Sequence, residues 1–133
     1  MQNNSIRVND KNVCVAAIDI GTNSTHLLIA EINSDLKSFN IKFTEKSTTR
    51  LGERDEDGNL TAEAIERVVE TLKRFKEYCN SYGVLKILAA ATSAVRESPN
   101  GREFIGRVRE NIGIDIELIS GAEEARLIYL GVL

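Results

Sequence analysis

The sequence is poor in several residue types that mark specialised protein classes. Its 133 residues include no tryptophan, only 5% aromatic residues, one proline and one histidine. So few aromatics disfavour a base-stacking platform for single-stranded nucleic acid, and a lone histidine disfavours a zinc site. The 17 basic and 20 acidic residues give a net charge of −3, which makes duplex nucleic acid a poor partner. No apolar run approaches the roughly 18 residues of a membrane-spanning helix, so no membrane association is expected.

What remains is an ordinary globular composition. Hydrophobic residues make up 42% and charged residues 28%, which suits one domain with its own core. The stretch 1–12 is polar and has no signal-peptide pattern, so it predicts a flexible tail and a cytoplasmic protein. The two cysteines, Cys14 and Cys79, lie in apolar segments without CxxC spacing and are interpreted as buried free thiols.

Hydrophobic patterning predicts the order β-β-β-α-β-α-β-α within residues 13–133. The almost continuously apolar run 13–20 predicts a strand buried on both faces, joined by a tight hairpin to a strand over 24–32. Residues 39–46 alternate, with Phe39, Ile41 and Phe43 on one face, as in a half-exposed strand near a sheet edge.

The second half of the sequence alternates helices with strands. Thr61 is a credible N-cap for a helix that ends at Tyr82 with Gly83 as its C-cap. A buried strand is predicted over 84–91, and Asn100 with Glu103 resembles a capping box for a helix to about residue 111. A fifth strand over 114–119 and a final helix from Ser120 complete a mixed five-stranded α/β sheet.

The first candidate site is Asp19-Ile20-Gly21-Thr22-Asn23-Ser24. Gly21 lets the backbone approach a ligand closely, and the N–H and hydroxyl groups of Thr22, Asn23 and Ser24 can surround an anion. Asp19, at the strand end, could hold a cation or its water. An ordinary hairpin turn would use the same residue types.

Two further segments follow predicted strands. Arg96 comes after Thr92 and Ser93, where a parallel strand ends, and a guanidinium there could bind phosphate through two parallel hydrogen bonds. From spacing alone, pairing of Arg96 with Glu97 or Glu103 is the simpler interpretation. In the second segment, Ser120 and Glu123 fit a capping box, which leaves Glu124 unexplained and makes it a candidate general base.

Three other residues have simpler interpretations. His26 lies mid-strand among apolar residues and is interpreted as a core histidine rather than a catalytic one. Arg50 and Arg54 flank Gly52 in a charged loop; they are possible anion contacts, but a solvated loop explains them.

The apolar segment 127–133 has no cap, which favours a chain that is the first half of a longer protein over a helix that docks on a partner.

Together, four segments resemble the exopolyphosphatase and guanosine pentaphosphate phosphatase (Ppx/GppA) family. They are AAIDIGTNSTHLLIAEI, TRLGE, ATSAVRESPNG and ISGAEEARLIYLGV, in the family's order over residues 13–133. The resemblance implies one RNase H-like domain of the actin-like ATPase superfamily. A second domain, carrying the second phosphate loop and a metal-binding carboxylate, would lie beyond Leu133.

The resemblance also implies roles for individual residues. Gly21, Thr22, Asn23 and Ser24 would form the first phosphate loop, Arg96 would reach the phosphate chain, and Glu124 would be the base for the attacking water. The cofactor would be Mg²⁺ or Mn²⁺, with Asp19 as one ligand, and a monovalent cation could assist.

The implied substrates are inorganic polyphosphate and guanosine pentaphosphate, and the implied partners are the missing C-terminal domain and a second copy in a homodimer. The isolated chain is expected to be inactive. The alternatives are a non-catalytic phosphate- or nucleotide-binding or interaction domain, and half of an actin-like sugar or acetate kinase.

Overall fold

Five strands form one mixed sheet with β1 at its centre. The computed structural model describes residues 12–33 and 35–120. The elements in these ranges are β1 (Asn12–Ile20), β2 (Ser24–Asn33), β3 (Ser38–Thr48), α1 (Ala62–Ser81), β4 (Lys86–Ala91), α2 (Ser93–Arg96), α3 (Gly101–Ile112) and β5 (Ile116–Leu118). The strand order is β3-β2-β1-β4-β5. β1 pairs antiparallel with β2 and β2 with β3, whereas β1, β4 and β5 run parallel.

This arrangement confirms the predicted mixed five-stranded sheet and its edge strand β3. The short helix α2 was not predicted, because four residues are too few to show a helical period. β1 begins at Asn12, one residue inside the predicted tail. The rest of that tail and the predicted final helix lie outside the described residues.

The helices of the described ranges pack on one face of the sheet. Ala16, Ile18 and Ile20 of β1 are buried there with Leu27, Ile29, Ala89 and Ala91 of the neighbouring strands. No helix of the described ranges covers the opposite face, which is called the open face below, and Leu88, which pairs with Ala17, is 53% exposed on it. The prediction that 13–20 is buried on both faces was therefore wrong, and the strand predicted as buried over 84–91 is buried at Ala89 and Ala91 but exposed at Lys86 and Leu88. An apolar run identifies a strand but does not show how many faces are covered.

A β-bulge divides β3 into two parts. Its pairing with β2 shifts between Ile29 and Ala30, which pair with Phe43 and Ile41. The inserted residue places Phe43 on the helix side, where its ring lies 4.6 Å from that of Tyr78, while Phe39 and Ile41 are more than half exposed on the open face. The predicted single face shared by Phe39, Ile41 and Phe43 was wrong for this reason.

The two long helices begin and end by different means. The Thr61 hydroxyl accepts a hydrogen bond from the Ala64 N–H at 3.1 Å, and Gly83 has a left-handed φ of 65°, as predicted for the ends of α1. The predicted capping box at Asn100 was wrong, because its side chain caps nothing. Instead the Asn100 amide accepts from the Leu60 N–H at 2.9 Å and donates to the Leu60 carbonyl at 3.1 Å.

Both cysteines are free thiols. Cys79 is buried, and desolvation raises its pKa, whereas Cys14 is half-buried on β1. None of the helices in the described part of the chain has the length and apolar character that a membrane span requires.

Candidate functional site

The parallel strands bring the predicted motifs to one edge of the sheet. The Thr92 N–H, at the end of β4, donates to the Ile20 carbonyl at 3.4 Å, and the Ile119 N–H, after β5, donates to the Ala91 carbonyl at 3.0 Å. The segments 19–24, 92–96 and 119–120 therefore meet where open α/β sheets bind ligands.

The hairpin loop between β1 and β2 presents exposed backbone at this edge. The Gly21 N–H donates to the Ser24 carbonyl at 3.0 Å, and a Cβ on Gly21 would lie only 3.2 Å from that oxygen. Thr22 and Asn23 form the exposed tip. A side chain at position 21 would therefore require the Ser24 carbonyl to shift by a few tenths of an ångström.

A second segment, 49–52, holds the hairpin tip from one side. The N–H groups of Thr49 and Arg50 donate to the Asn23 carbonyl at 3.1 and 2.9 Å, and the Gly52 N–H donates to the Thr22 carbonyl at 2.9 Å. The Thr22 carbonyl and the Asn23 N–H belong to the same trans peptide, in which C=O and N–H point in opposite directions. Because the Thr22 carbonyl points toward segment 49–52, the Asn23 N–H points away from it. Sequence reasoning had placed Gly52 and its neighbours in a solvated loop. The glycine at position 52 was the sequence feature that could have indicated the contact between segment 49–52 and the hairpin tip. A Cβ there would lie 2.4 Å from Thr22 Cγ2, so only glycine allows the two segments to approach this closely.

Asp19 lies on the open face, paired across the strands with His26. Its Oδ1 is buried and accepts no hydrogen bond from any described residue. Burial raises the pKa of the Asp19 carboxyl, and the neighbouring His26 opposes this shift. His26 itself is exposed, so its interpretation as a core histidine was wrong. β2 is buried on one face only, and His26 is on the other.

The unpartnered Asp19 oxygen suits a hard cation such as Mg²⁺, which prefers carboxylate oxygens and keeps several waters. Within residues 12–33 and 35–120, no group of three or more histidine, cysteine or acidic side chains could complete a metal site. Asp19 therefore fits as one ligand of an ion that also takes oxygens from water or substrate.

Arg96 reaches the third segment of the edge. Its Nη1 donates to the Ile119 carbonyl at 2.6 Å, and its Nη2 lies 3.7 Å from a Glu97 carboxylate oxygen. Arg54 contacts the helix α2 that carries Arg96, because its Nη2 donates to the Ala94 carbonyl at 2.9 Å. The charged loop is thus tied both to the hairpin tip and to the helix that carries Arg96.

A model of the Ppx/GppA phosphatase family matches residues 28–133. The chain belongs to this family. It is 31% identical over 119 residues to exopolyphosphatase 1 of Mycobacterium bovis, an alignment covering 89% of the chain and 34% of that protein. The chain spans about a third of the length of the curated exopolyphosphatases it matches.

Solved structures of Ppx/GppA proteins have the same fold. The Aquifex aeolicus family member superposes with a TM-score of 0.84 at 34% identity, over 91% of this chain and 39% of that one. An exopolyphosphatase from Cytophaga hutchinsonii gives 0.82 at 39% identity, over 90% and 38%. RuvC from T. thermophilus, at 12% identity and a TM-score of 0.51 over 90% of this chain and 74% of that one, shares only the RNase H-like fold.

The predicted site residues of this Ppx/GppA chain fall into two groups. Asp19, the loop 21–24 and Arg96 are brought to one edge of the sheet. Glu123 and Glu124 lie outside the described residues, as do Arg126 and the apolar segment 127–133. In the sequence, the predicted base Glu124 comes five residues after Ile119, whose carbonyl Arg96 contacts.

Proposed function

We propose that the protein to which this chain belongs is a phosphohydrolase that removes the terminal phosphate from inorganic polyphosphate or guanosine pentaphosphate. The family and its exopolyphosphatase relatives support the reaction class. The single observation that carries the proposal is the meeting of three ligand-type segments at one sheet edge, with the hairpin tip anchored from behind by segment 49–52.

The hairpin loop is assigned to the terminal phosphoryl group. Backbone N–H groups at its tip and the hydroxyls of Thr22 and Ser24 bind phosphate oxygens, and the fixed backbone means that these donors need no reorganisation as charge develops. Asp19 would hold Mg²⁺ or Mn²⁺, directly or through a water molecule. When bound, the ion neutralises charge on the phosphoryl oxygens.

Glu124 is assigned as the general base. It orients a water for in-line attack on the terminal phosphorus and takes its proton, so that the P–O bond to the rest of the chain breaks and inorganic phosphate leaves. Such assistance is worth about 10²–10⁴-fold in rate. Arg96, which contacts the Ile119 carbonyl, both holds the strand end that leads to Glu124 and places a positive charge at the phosphate chain.

The test is phosphate release by the protein from the complete reading frame, with Mg²⁺ and either long-chain polyphosphate, guanosine pentaphosphate or ATP. We expect release from one of the first two substrates, and a loss of about 10²-fold or more in Glu124→Gln. Glu110→Gln, an exposed change on α3, is the matched control and should retain wild-type activity.

The outcomes separate the candidate functions. Release that survives Glu124→Gln would reject Glu124 as the base. Phosphate release from ATP but from neither of the other two substrates would favour half of a sugar or acetate kinase. Phosphate binding without release from any of the three would favour a phosphate sensor. We propose that the 133-residue chain alone is inactive, which the same assay checks.

A further inference from the structure

A small cavity adjoins the hairpin tip on the side of segment 49–52. It has a volume of about 230 Å³ and is lined by Thr22, Asn23, Arg50, Gly52 and Glu53. One wall is therefore the proposed phosphate loop, and the other carries the guanidinium of Arg50. That guanidinium belongs to no role assigned above.

The backbone at Arg50 is held in an unfavourable conformation. Its φ is 50°, in the left-handed region, which is unfavourable for a residue with a side chain. The conformation persists because the Arg50 N–H donates to the Asn23 carbonyl and the Gly52 N–H to the Thr22 carbonyl. Glycine would adopt this φ without strain, so the side chain at this position has a cost that the fold itself does not require.

The charges around the cavity are unbalanced. Glu53 receives a hydrogen bond from Arg50 Nε at 3.2 Å and a shorter one from Arg67 Nη2 at 2.6 Å. These contacts lower the pKa of the Glu53 carboxyl, with the Arg67 hydrogen bond as the main cause. Two guanidinium groups thus share one carboxylate, and the three side chains carry one surplus positive charge.

Arg67 and Arg50 are not equivalent in this cluster. Arg67 also donates from Nε to the Thr49 carbonyl at 2.8 Å, and its side chain is only 29% exposed. The Arg50 side chain is 59% exposed, and Glu53 is its partner among the described residues. Arg50 can therefore leave Glu53 at little cost, because Arg67 continues to neutralise that carboxylate.

We propose that Arg50 is a further substrate-binding residue, which exchanges Glu53 for a phosphate oxygen when a chain of condensed phosphates occupies the hairpin loop. Arg50 binds a phosphate next to the one held by the loop, because Thr22 and Asn23 of the loop line one side of the cavity and Arg50 lines the other. This inference rests on the proposed function, and it assigns Arg50 to affinity rather than to the chemical step.

The first test is binding of tripolyphosphate to the full 133-residue chain, measured by calorimetry at low salt. Arg50→Gly removes the guanidinium while easing the backbone strain, so the loop is expected to keep its shape. We expect the dissociation constant to rise about tenfold in Arg50→Gly and about threefold in Arg50→Lys, which keeps the charge but loses the planar fork. Arg107→Ala, which removes an exposed arginine paired with Glu66, is the control and should bind as wild type.

A second variant separates binding from mere support of the loop. Glu53→Gln removes the resting partner of Arg50 and should tighten tripolyphosphate binding about two- to threefold, and this gain should be lost in the double variant with Arg50→Gly, which a purely structural role for Arg50 would not produce. In the complete protein, Arg50→Gly should raise KM about tenfold and leave kcat within about twofold.

The inference fails if the wild-type chain does not bind tripolyphosphate, or if Arg50→Gly binds it as wild type does. Either result leaves the proposed function standing, provided that the complete protein releases phosphate and Glu124→Gln does not. Conversely, a tenfold effect of Arg50→Gly in a protein without turnover would keep the binding site and reject the hydrolase.

Discussion

Replacing Gly101 with alanine should destabilise the chain sharply, because the first residue of α3 packs against backbone. A Cβ on Gly101 would lie 2.1 Å from the Val95 carbonyl oxygen, and contacts under 3.0 Å are essentially never seen. The start of α3 must therefore move by about 1 Å in a closely packed region. The neighbouring Asn100 side chain cannot follow without loosening its two hydrogen bonds to Leu60.

The magnitude follows from these contacts. Two loosened hydrogen bonds cost about 1 kcal/mol each, and forced displacement in a packed interior costs about 1–3 kcal/mol. The better helix propensity of alanine returns about 0.5–1 kcal/mol. The net loss in the free energy of unfolding is about 2–4 kcal/mol.

Urea unfolding of the full chain measures this loss. With a slope of about 2 kcal/mol per M, the midpoint of Gly101→Ala should fall by about 1–2 M. Gly106→Ala in the same helix is the matched control. It meets no atom within 4 Å and should gain about 0.5–1 kcal/mol. A midpoint for Gly101→Ala within about 0.3 M of wild type would refute the packing argument.

Two further predictions concern the site and its support. Asp19→Asn should raise the free energy of unfolding by about 1 kcal/mol at pH 7, because it removes a half-buried charge. Burial raises the pKa of Asp19, so the wild type gains stability as pH falls through that pKa. The advantage of Asn should therefore shrink below it, and a pH series of unfolding midpoints that stays parallel would contradict this. Asn100→Ala should lose about 2 kcal/mol by leaving the N–H and C=O of the buried Leu60 unpaired, whereas Asn111→Ala on the exposed end of α3 should lose under about 0.5 kcal/mol in the same titration.

The sequence predicted element types well because periodicity and capping are local. Thr61 caps the start of α1 and Gly83 follows its end as expected, since both act within a few residues of their own position. It was harder to predict which face of the sheet each side chain of a strand occupies. The bulge in β3 places Phe39 and Phe43 on opposite faces of the sheet, and no residue between them indicates from the sequence that one position is inserted.

The candidate site was predicted as separate motifs and not as an assembly. Gly21 and Arg96 were identified from strand ends, and the structure brings their segments to one edge. The support given by Arg54 and Asn100 could not be predicted, because their partners Ala94 and Leu60 are each 40 residues away in the sequence.

These distant contacts have a consequence for the order of folding. The long-range hydrogen bonds that shape the site join residues 23 to 72 positions apart, from Arg96 and Ile119 to Thr92 and Ile20. The entropy of closing such loops must be overcome before the contacts form, whereas the β1–β2 hairpin closes locally. We therefore expect the β1–β2 hairpin to form before the parallel strand β4 pairs with β1 and before the ligand-binding edge takes shape. A chain arrested at the hairpin stage would show some strand content by circular dichroism and no affinity for phosphate.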